Sequence, residues 1–479
     1  MLLTFCLIIP ILAGIICFFL PGNNSAKGFS LFASIALVAV VLYAIFLPTG
    51  SNQLNYSHVW IGSMNSNISL GVDGMAKVLI LLTAISFPII FTATWGNEYK
   101  DANQFYGLML LTQAGLMGVF LATDCLLFYF FWELALVPAY FLCSKWGGDR
   151  RIQASFKFFI YTFVGSLIML IGIIYLYFKT PDHSFAWSSF TRVHLTGAEQ
   201  AWFFWFFFIA FAIKMPIFPF HTWQPDAYEQ SPTAVTMVLS GIMVKMGLFA
   251  VARWLLPVFP EMSFKMSHFI IGLSVFGMIY ASLIAMRQND LKRLIAYSSI
   301  AHIGLMCAAL FTSNAYSLQG VTIQLFSHGI NVIGLWIVGN AIEKQTGTTK
   351  MSELGGLAKT APVLAILLVV MALANIALPL TNAFVGEFLM FNGLFAYNVT
   401  YAVIAGISII LSAVYTLNMI QKVFFGETSG VLSMKDIPWN TSIALTAIVA
   451  MVFVMGVYPK PMFELGQQAF GAVMKLANK

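Results

Sequence analysis

Apolar segments long enough to cross a membrane follow one another along almost the whole chain. A transmembrane helix needs about 20 predominantly apolar residues, and about fourteen such segments, joined by short loops, can be counted. Hydrophobic residues make up 60% of the 479 residues, and charged residues make up only 9%. Because a water-soluble domain could not cover such a sequence with polar surface, the chain is expected to be an all-α polytopic membrane protein.

The first predicted span begins at the N-terminus. Residues 2–20 look like a signal peptide at first sight, but they lack a basic leading region and an A-x-A-like cleavage site. They are therefore interpreted as a transmembrane helix. The predicted spans are approximately 2–20, 28–46, 75–95, 105–122, 124–142, 155–178, 201–225, 232–256, 267–286, 292–313, 320–341, 362–397, 400–421 and 439–457.

Lysine and arginine are distributed unequally between the loops that join these spans. If the N-terminus lies outside, the inside loops hold about 14 basic residues and the outside loops about 7. Most of the excess comes from two segments, 145–151 and 287–293. Because basic residues accumulate on the inner side of a membrane, both termini are predicted to face out.

Prolines interrupt two of the predicted spans. Pro216 and Pro219 lie inside the seventh span, and Pro379 lies inside the twelfth, close to Asn382. Proline breaks the hydrogen bonding of a helix, and free backbone groups at membrane depth survive only beside protein or trapped water. The two interruptions are five spans apart, and an odd offset reverses topology. The pattern therefore predicts two inverted five-helix repeats, helices 4–8 and 9–13, in which helices 7 and 12 are discontinuous.

This pattern also divides the chain. One membrane domain is expected over residues 1–479. Its predicted parts are helices 1–3 (1–104), the first inverted repeat (105–256), the second inverted repeat (267–421), and a C-terminal helix with its tail (439–479).

Four charged side chains lie near the middle of predicted spans. They are Glu133 in the fifth span, Lys214 in the seventh, Lys245 in the eighth and Glu387 in the twelfth. A charge at the bilayer centre costs about 2.5–3.5 kcal/mol on insertion scales, so these residues imply internal partners and water. A lysine that gains and loses a carboxylate partner can bind and release a proton, which indicates a proton path. The alternative is that Glu133 and Lys214 form a static buried ion pair that only fixes packing.

Histidines are weaker candidates for the same path. His302 lies in the tenth span and His328 in the eleventh, where each either relays protons or is a packing group. His221 lies near the inner end of the seventh span, and it is either a relay or an interfacial residue. Lys77, near the outer end of the third span, is expected to extend its ammonium to the membrane surface.

The sequence contains no signal for a redox or metal centre. Its cysteines occur singly in or beside apolar segments and form no C-x-x-C motif, so neither a zinc site nor an iron–sulfur site is indicated. The net charge of +6 is small for this length and fits orientation in a membrane better than nucleic-acid binding. No cofactor, metal or nucleic acid is expected on this chain.

Five motifs carry a family resemblance that covers nearly the whole chain. They are FYFFWELALVPAYFL, FAIKMPIFPFHTWQPDA, SPTAVTMVLSGIMVKMG, DLKRLIAYSSIAHIGL and VGEFL. Together they resemble the antiporter-like, proton-translocating membrane subunits of respiratory complex I. Among the L, M and N types of this family, the chain is similar to the M type of bacterial NADH:quinone oxidoreductase. It has Glu387 where the L and N types carry lysine, and it stops soon after the fourteenth predicted span.

The resemblance implies roles for the candidate residues. Lys214 would be the pumping lysine, tuned by Glu133, while Lys245 would be the central lysine and Glu387 the residue on the exit side. The resemblance also implies that His302 and His328 link Lys245 to Glu387. Gln224 and Tyr228 depart from the family's usual HTWLPDAH pattern, and this change is expected to affect proton uptake rather than the central path.

The resemblance further implies a non-redox translocase subunit in a bacterial inner membrane, with both termini periplasmic. NADH, FMN, iron–sulfur clusters and quinone are then expected in other subunits, and the partners are flanking L-type and N-type chains and membrane lipids. Three alternatives stay open: a subunit of a multi-subunit cation/proton antiporter, a subunit of a hydrogenase-type or other ferredoxin- or coenzyme-driven complex, and a purely structural membrane scaffold.

Overall fold

Helices form nearly all of the regular structure in the computed structural model, which describes residues 2–48, 51–425 and 435–466. Within these residues, 12 helices are long and apolar enough to cross a membrane. The prediction of an all-α polytopic membrane protein is therefore confirmed. The predicted C-terminal tail extends to residue 479, and its part after residue 466 lies outside the described residues.

The helices of the first half are α1 (Leu2–Phe19), α2 (Asn23–Phe46), α3 (Gly74–Ala93), α4 (Ala102–Leu121), α5 (Cys125–Trp146), α6 (Arg151–Lys179), α7 (Gly197–Lys214) and α8 (Trp223–Gln230). Those of the second half are α9 (Thr233–Val258), α10 (Pro260–Arg287), α11 (Leu291–Phe311), α12 (Ala315–Thr346), α13 (Pro362–Asn375), α14 (Asn382–Tyr397), α15 (Val399–Phe425), α16 (Trp439–Val457) and α17 (Lys460–Gly466). Helix α9 contains two π-helical turns, Leu239–Met243 and Val251–Leu255.

Two of the predicted spans are each represented by a pair of shorter helices. The seventh consists of α7 and α8, and the twelfth consists of α13 and α14. The predicted interruptions are thus present at the predicted prolines. The count of fourteen spans and the division into inverted repeats stay predictions.

A two-stranded hairpin before α3 was not predicted. Strand β1 (Asn55–Ile61) pairs antiparallel with β2 (Ser66–Gly71), and its side chains are mostly exposed. Asp124 holds the hairpin against α5, because its carboxylate accepts from the Asn67 amide at 3.1 Å and also caps α5 at the Leu126 amide at 3.0 Å. These short, polar strands lie between membrane spans, so hydropathy gave no signal for them.

Helices α9 and α12 lie at the centre of the protein. Their most apolar stretches are 100% buried, whereas those of α1, α2, α6, α15 and α16 are between 33% and 39% buried. In a membrane, exposure of this kind means contact with lipid or a neighbouring chain. Polar residues on α9 and α12 are therefore shielded from hydrocarbon by the protein itself.

Glycines bring three helices into backbone contact at this centre. A Cβ atom on Gly247 of α9 would lie 2.7 Å from the Met215 amide nitrogen, just after the end of α7. On the other side of α9, a Cβ on Gly329 of α12 would lie 2.8 Å from the carbonyl oxygen of Gly241. Only glycine permits such approaches without displacing the backbone, and these contacts set how closely α7, α9 and α12 pack.

The prediction that Lys77 extends to the membrane surface is wrong. Its side chain is buried, and its ammonium donates to the carbonyls of Leu47 at 2.8 Å and Ile45 at 3.4 Å. These carbonyls belong to the C-terminal end of α2, where the helix has no internal donors and carries partial negative charge. Lys77 therefore caps α2 from the first turn of α3.

Replacement of Lys77 by methionine is expected to destabilise the packing of α2 on α3. The variant keeps the length of the side chain but leaves buried carbonyls without a donor, at a cost of about 1–3 kcal/mol. The thermal denaturation midpoint of the purified protein in detergent measures the loss. Lys265→Met serves as the control because Lys265 is exposed. Equal midpoints for the two variants would contradict the capping role.

Candidate functional site

The first interruption leaves a free carbonyl that a side chain satisfies. Helix α7 ends at Lys214, and Pro216 offers no amide hydrogen to continue it. The indole nitrogen of Trp223, at the start of α8, donates to the carbonyl of Ile213 at 3.0 Å. The bond replaces one lost from the helix and holds α8 beside the end of α7, so that the last residue of α7 points into the protein.

Lys214 is surrounded by aromatic rings. Its side chain is buried, and its ammonium has no hydrogen-bond partner among the described residues. The nitrogen lies 5.5 Å from the ring centroid of Trp132 and 6.0 Å from that of Phe158. Aromatic faces attract a cation, but they replace hydration only in part. Lys214 therefore lacks the partner that would fix its charge permanently.

Glu133 and Lys214 do not form the static ion pair that was the alternative to a proton path. Within the described part of the chain, neither the Lys214 ammonium nor Oε1 of Glu133 has a hydrogen-bond partner, and no ion pair joins them. Glu133 directly follows Trp132 on α5. The ring of Trp132, rather than the carboxylate of Glu133, faces the Lys214 ammonium. The static-pair alternative is thereby contradicted, whereas the proposed tuning of Lys214 by Glu133 stays a prediction.

Helix α8 is anchored by ion pairs on the side predicted to be inside. Asp226 contacts Lys157 at 2.8 Å and Arg293 at 3.3 Å, and Glu229 contacts Arg293 at 2.7 Å and Arg150 at 2.9 Å. Arg150 and Arg293 belong to the two basic segments from which the orientation was predicted. They also hold α8 against α6 and α11, which a count of charges in loops does not reveal.

Lys245 lies two residues after the π-helical turn Leu239–Met243 of α9. The amide of Val244 donates to the carbonyl of Leu239, five residues back, which is the π-helical pattern. The Lys245 ammonium donates to the carbonyl of Ser240 at 2.6 Å and contacts Nδ1 of His328 at 2.9 Å. The distortion thus supplies a backbone acceptor for a completely buried lysine, and α12 supplies a second partner.

From Lys245, a row of titratable side chains continues to Glu387. The ring centroids of His328 and His302 are 5.6 Å apart, and Nδ1 of His302 lies 2.9 Å from Oε1 of Glu387. The amide nitrogen of Gln324 donates to the same oxygen at 3.2 Å. The structure therefore brings four of the predicted site residues together, on helices α9, α12, α11 and α14.

Asparagine side chains form hydrogen bonds at the second interruption. The side-chain amide of Asn382, at the start of α14, donates to Asn331 at 3.1 Å, and Asn331 donates to the carbonyl of Ala374 at 3.3 Å. The Ser327 hydroxyl donates to the carbonyl of Asn382 at 3.2 Å. These bonds satisfy polar groups that the break exposes at membrane depth and position α14 with Glu387 toward α12.

Sequence reasoning missed most of the polar residues of α12. Gln324 lies four residues before His328 and Asn331 three residues after it, while Ser327 is three residues after Gln324 and four before Asn331; all four are buried. Residues with this spacing share one face of a helix. A search for polar stripes within apolar spans would have found this face, whereas only the histidine was selected.

His221 and two neighbours on α8 are buried rather than interfacial. The ring of His221 stacks on Phe218 at 5.8 Å and meets Tyr280 edge-on at 5.4 Å, and its Nδ1 has no partner in the described structure. The side-chain polar atoms of Gln224 and the hydroxyl of Tyr228 are likewise buried and unpartnered there. Buried polar atoms of this kind are usual contacts of internal water. The relay role of His221 stays a prediction.

Together, these features define a class of protein. A polytopic membrane protein with two interrupted helices and a buried row of lysine, histidine and glutamate has the architecture of an ion-translocating membrane protein.

Comparison with known proteins places the chain within this class. Residues 122–412 match the family described as NADH:quinone oxidoreductase/Mrp antiporter, TM. The F(420)H(2) dehydrogenase subunit M of Methanosarcina mazei is 35% identical over 98% of this chain and 97% of its own length. The NADH-quinone oxidoreductase subunit M of Rhodobacter capsulatus is 35% identical over 93% of this chain and 89% of its own.

Solved structures of membrane complexes contain chains with the same fold as this one. A chain of respiratory complex I from Thermus thermophilus superposes with a TM-score of 0.92 at 27% identity, covering 99% of both chains. A chain of the Mrp complex from Dietzia shares the fold, with a TM-score of 0.88 at 19% identity over 98% of this chain and 97% of its own. The chain belongs to the NADH:quinone oxidoreductase/Mrp antiporter family, as an M-type antiporter-like membrane subunit.

Proposed function

We propose that the chain is the proton-translocating M-type membrane subunit of a complex I that couples electron transfer from NADH to quinone to proton pumping. The observation that carries the proposal is the buried row Lys245–His328–His302–Glu387 at the centre of the fold. Titratable groups are expensive at membrane depth, and a row of them in successive contact is the arrangement that proton transfer needs. The similarity to subunits M of NADH-quinone oxidoreductases supports the same function.

The proposed path begins on the inner side. A proton enters near Lys214, moves along the central axis to Lys245, passes through His328 and His302, and leaves outward from Glu387. Each histidine can accept a proton at one ring nitrogen and release one from the other. Nε2 of both rings is buried and unpartnered within the described structure, so both rings have a free nitrogen for a transferred proton or water.

Trp132 suggests how the first step is controlled. Because the indole, not the carboxylate, faces the Lys214 ammonium, a shift of α5 relative to α7 would change how strongly Glu133 stabilises the charge. Redox chemistry in other subunits supplies the free energy for such a shift through the neighbouring membrane chains. The subunit therefore takes part in a translocase without carrying out redox chemistry itself.

The proposal includes the surroundings of the chain. NADH, FMN, iron–sulfur clusters and quinone bind to other subunits, and L-type and N-type chains flank this one. The protein lies in a bacterial inner membrane with both termini periplasmic, as the distribution of basic residues favours.

A second candidate differs in the electron donor. The similarity to subunit M of an F(420)H(2) dehydrogenase favours a coenzyme F420-driven complex of the same architecture. The buried row is compatible with either donor, because it contacts neither. Purification of the complex from its native membrane, followed by activity staining of a native gel with NADH or with reduced F420, separates the two.

Glu133→Gln and Lys214→Met are expected to lower the number of protons pumped per NADH oxidised. Each removes one of the charges proposed to control the first transfer while keeping the size of the side chain. Acidification of inside-out vesicles, measured together with NADH oxidation and subunit content, tests this expectation. Glu261→Gln is the control, because Glu261 is exposed at the start of α10. A wild-type proton yield in both variants would refute the proposed path at its first step.

A further inference from the structure

A small cavity adjoins Glu387 at the end of the buried row. It has a volume of about 20 Å³, and its lining includes His302, Glu387, Phe391, Ser412 and Tyr415. A cavity needs about 10–15 Å³ of such space to hold a water molecule, so one water fits. The cavity lies between α10, α11, α14 and α15, at the point where the row of titratable residues ends.

Unpartnered polar atoms belong to the residues that line this cavity. Nε2 of His302 and the hydroxyl of Ser412 are both buried without a hydrogen-bond partner among the described residues. Buried polar groups in proteins are normally satisfied by protein or by ordered water. A water in the cavity would therefore extend the row past Glu387 toward α15.

A second depression lies between α14 and α15 on the surface of the protein. This α14–α15 groove has a volume of about 350 Å³ and is lined by Phe388, Phe391, Asn392, Phe395, Ala402 and Val403. Phe391 lines both the inner cavity and the α14–α15 groove. It lies one helical turn after Glu387, on the side of the carboxylate that the predicted orientation makes the outer side.

The lining of the α14–α15 groove is apolar except for Asn392. Asn392 is exposed there, and it has no hydrogen-bond partner within the described residues. An amide without a partner is costly in lipid, where nothing can bond to it. Water in the groove would satisfy the amide and would receive a proton released from Glu387.

We propose that the phenyl ring of Phe391 is a hydrophobic gate between Glu387 and the α14–α15 groove. With the ring in place, an apolar barrier separates the cavity from the groove and keeps water from joining them. Displacement of the ring admits water to Glu387 and opens the outward route for its proton. The gate rests on the proposed function, since it matters only if Glu387 carries the departing proton.

Access to Glu387 can be measured without measuring pumping. Dicyclohexylcarbodiimide enters membranes and reacts with protonated carboxyl groups. The intact complex is labelled and then digested, and mass spectrometry of the peptides reports the adduct on the one that contains Glu387. Phe391→Ala is expected to increase the labelling rate several-fold over the wild type. Phe395→Ala is the matched control, because Phe395 lines the α14–α15 groove but not the cavity and is 56% exposed.

A second variant, with a larger side chain at position 391, tests the gate even if the complex with Phe391→Ala does not assemble. Phe391→Trp enlarges the barrier and is expected to slow the labelling of Glu387 below the wild-type rate. Wild-type labelling rates in either assembled Phe391 variant, or equal acceleration in Phe395→Ala, would overturn the gate. These results are independent of the proposed function, which fails instead if Glu387→Gln pumps protons at the wild-type yield.

Discussion

Replacement of Lys245 by methionine is expected to stop proton translocation through this subunit. The ammonium contacts both the carbonyl of Ser240 and the ring of His328, and methionine cannot carry a proton. Loss of a group that transfers protons typically slows transfer by about 10²-fold or more. The complex should still assemble, because an apolar side chain of similar volume is usually tolerated in place of a buried charge.

The measurement is NADH-driven acidification of inside-out vesicles, normalised to NADH oxidation and to the amount of this subunit in the complex. Met246→Leu is the matched control, since Met246 is the next residue of α9, is fully buried and carries no titratable group. If Lys245→Met and Met246→Leu give the same proton yield, Lys245 is not on the path.

A single methyl group on Gly329 is expected to weaken the same path without touching a titratable residue. The Cβ of Gly329→Ala would lie 2.8 Å from the carbonyl oxygen of Gly241, and a backbone atom cannot turn away as a flexible side chain does. Overpacking of this kind costs about 1–3 kcal/mol. The relaxation separates α12 from α9 next to the 2.9 Å contact between His328 and Lys245.

Gly339→Ala provides the control on the same helix. The nearest atom to a Cβ at Gly339 is 3.9 Å away, which is an ordinary contact. The expected result is a lower thermal midpoint and a lower proton yield for Gly329→Ala, with both near the wild type for Gly339→Ala. If the two variants behave alike, the spacing of α9 and α12 does not control the path.

Much of the fold follows from rules that act over short stretches of chain. The bilayer requires each span to be long and apolar, so hydropathy located the ends of the spans to within seven residues. For α16 both ends were predicted correctly. Proline cannot donate in a helix, so Pro216 and Pro379 marked both interruptions. The hairpin was missed because short polar strands produce no hydropathy signal.

The candidate site was predictable in part. Lys245, His302, His328 and Glu387 were selected from their position within apolar segments, and the structure brings them together. The static ion pair of Glu133 with Lys214, which was the alternative to a proton path, is absent, and the predicted surface position of Lys77 was wrong. In both cases the sequence does not show where the end of a long side chain lies, because this depends on neighbouring helices: the ring of Trp132 in one case and the carbonyls of α2 in the other.

The sequence by itself therefore determined the class of protein, the interrupted spans and the residues that carry charge into the membrane. Because polar groups are costly in hydrocarbon, each of these features can be recognised within a single segment of the sequence. Only the tertiary structure decided which of these residues meet. Lys245 and His328 are 83 residues apart in sequence, and His302 and Glu387 are 85 apart. Their contacts depend on the distances between four helices and on the rotation of each helix about its axis. The backbone contacts at glycine and the two helix interruptions set these distances and rotations.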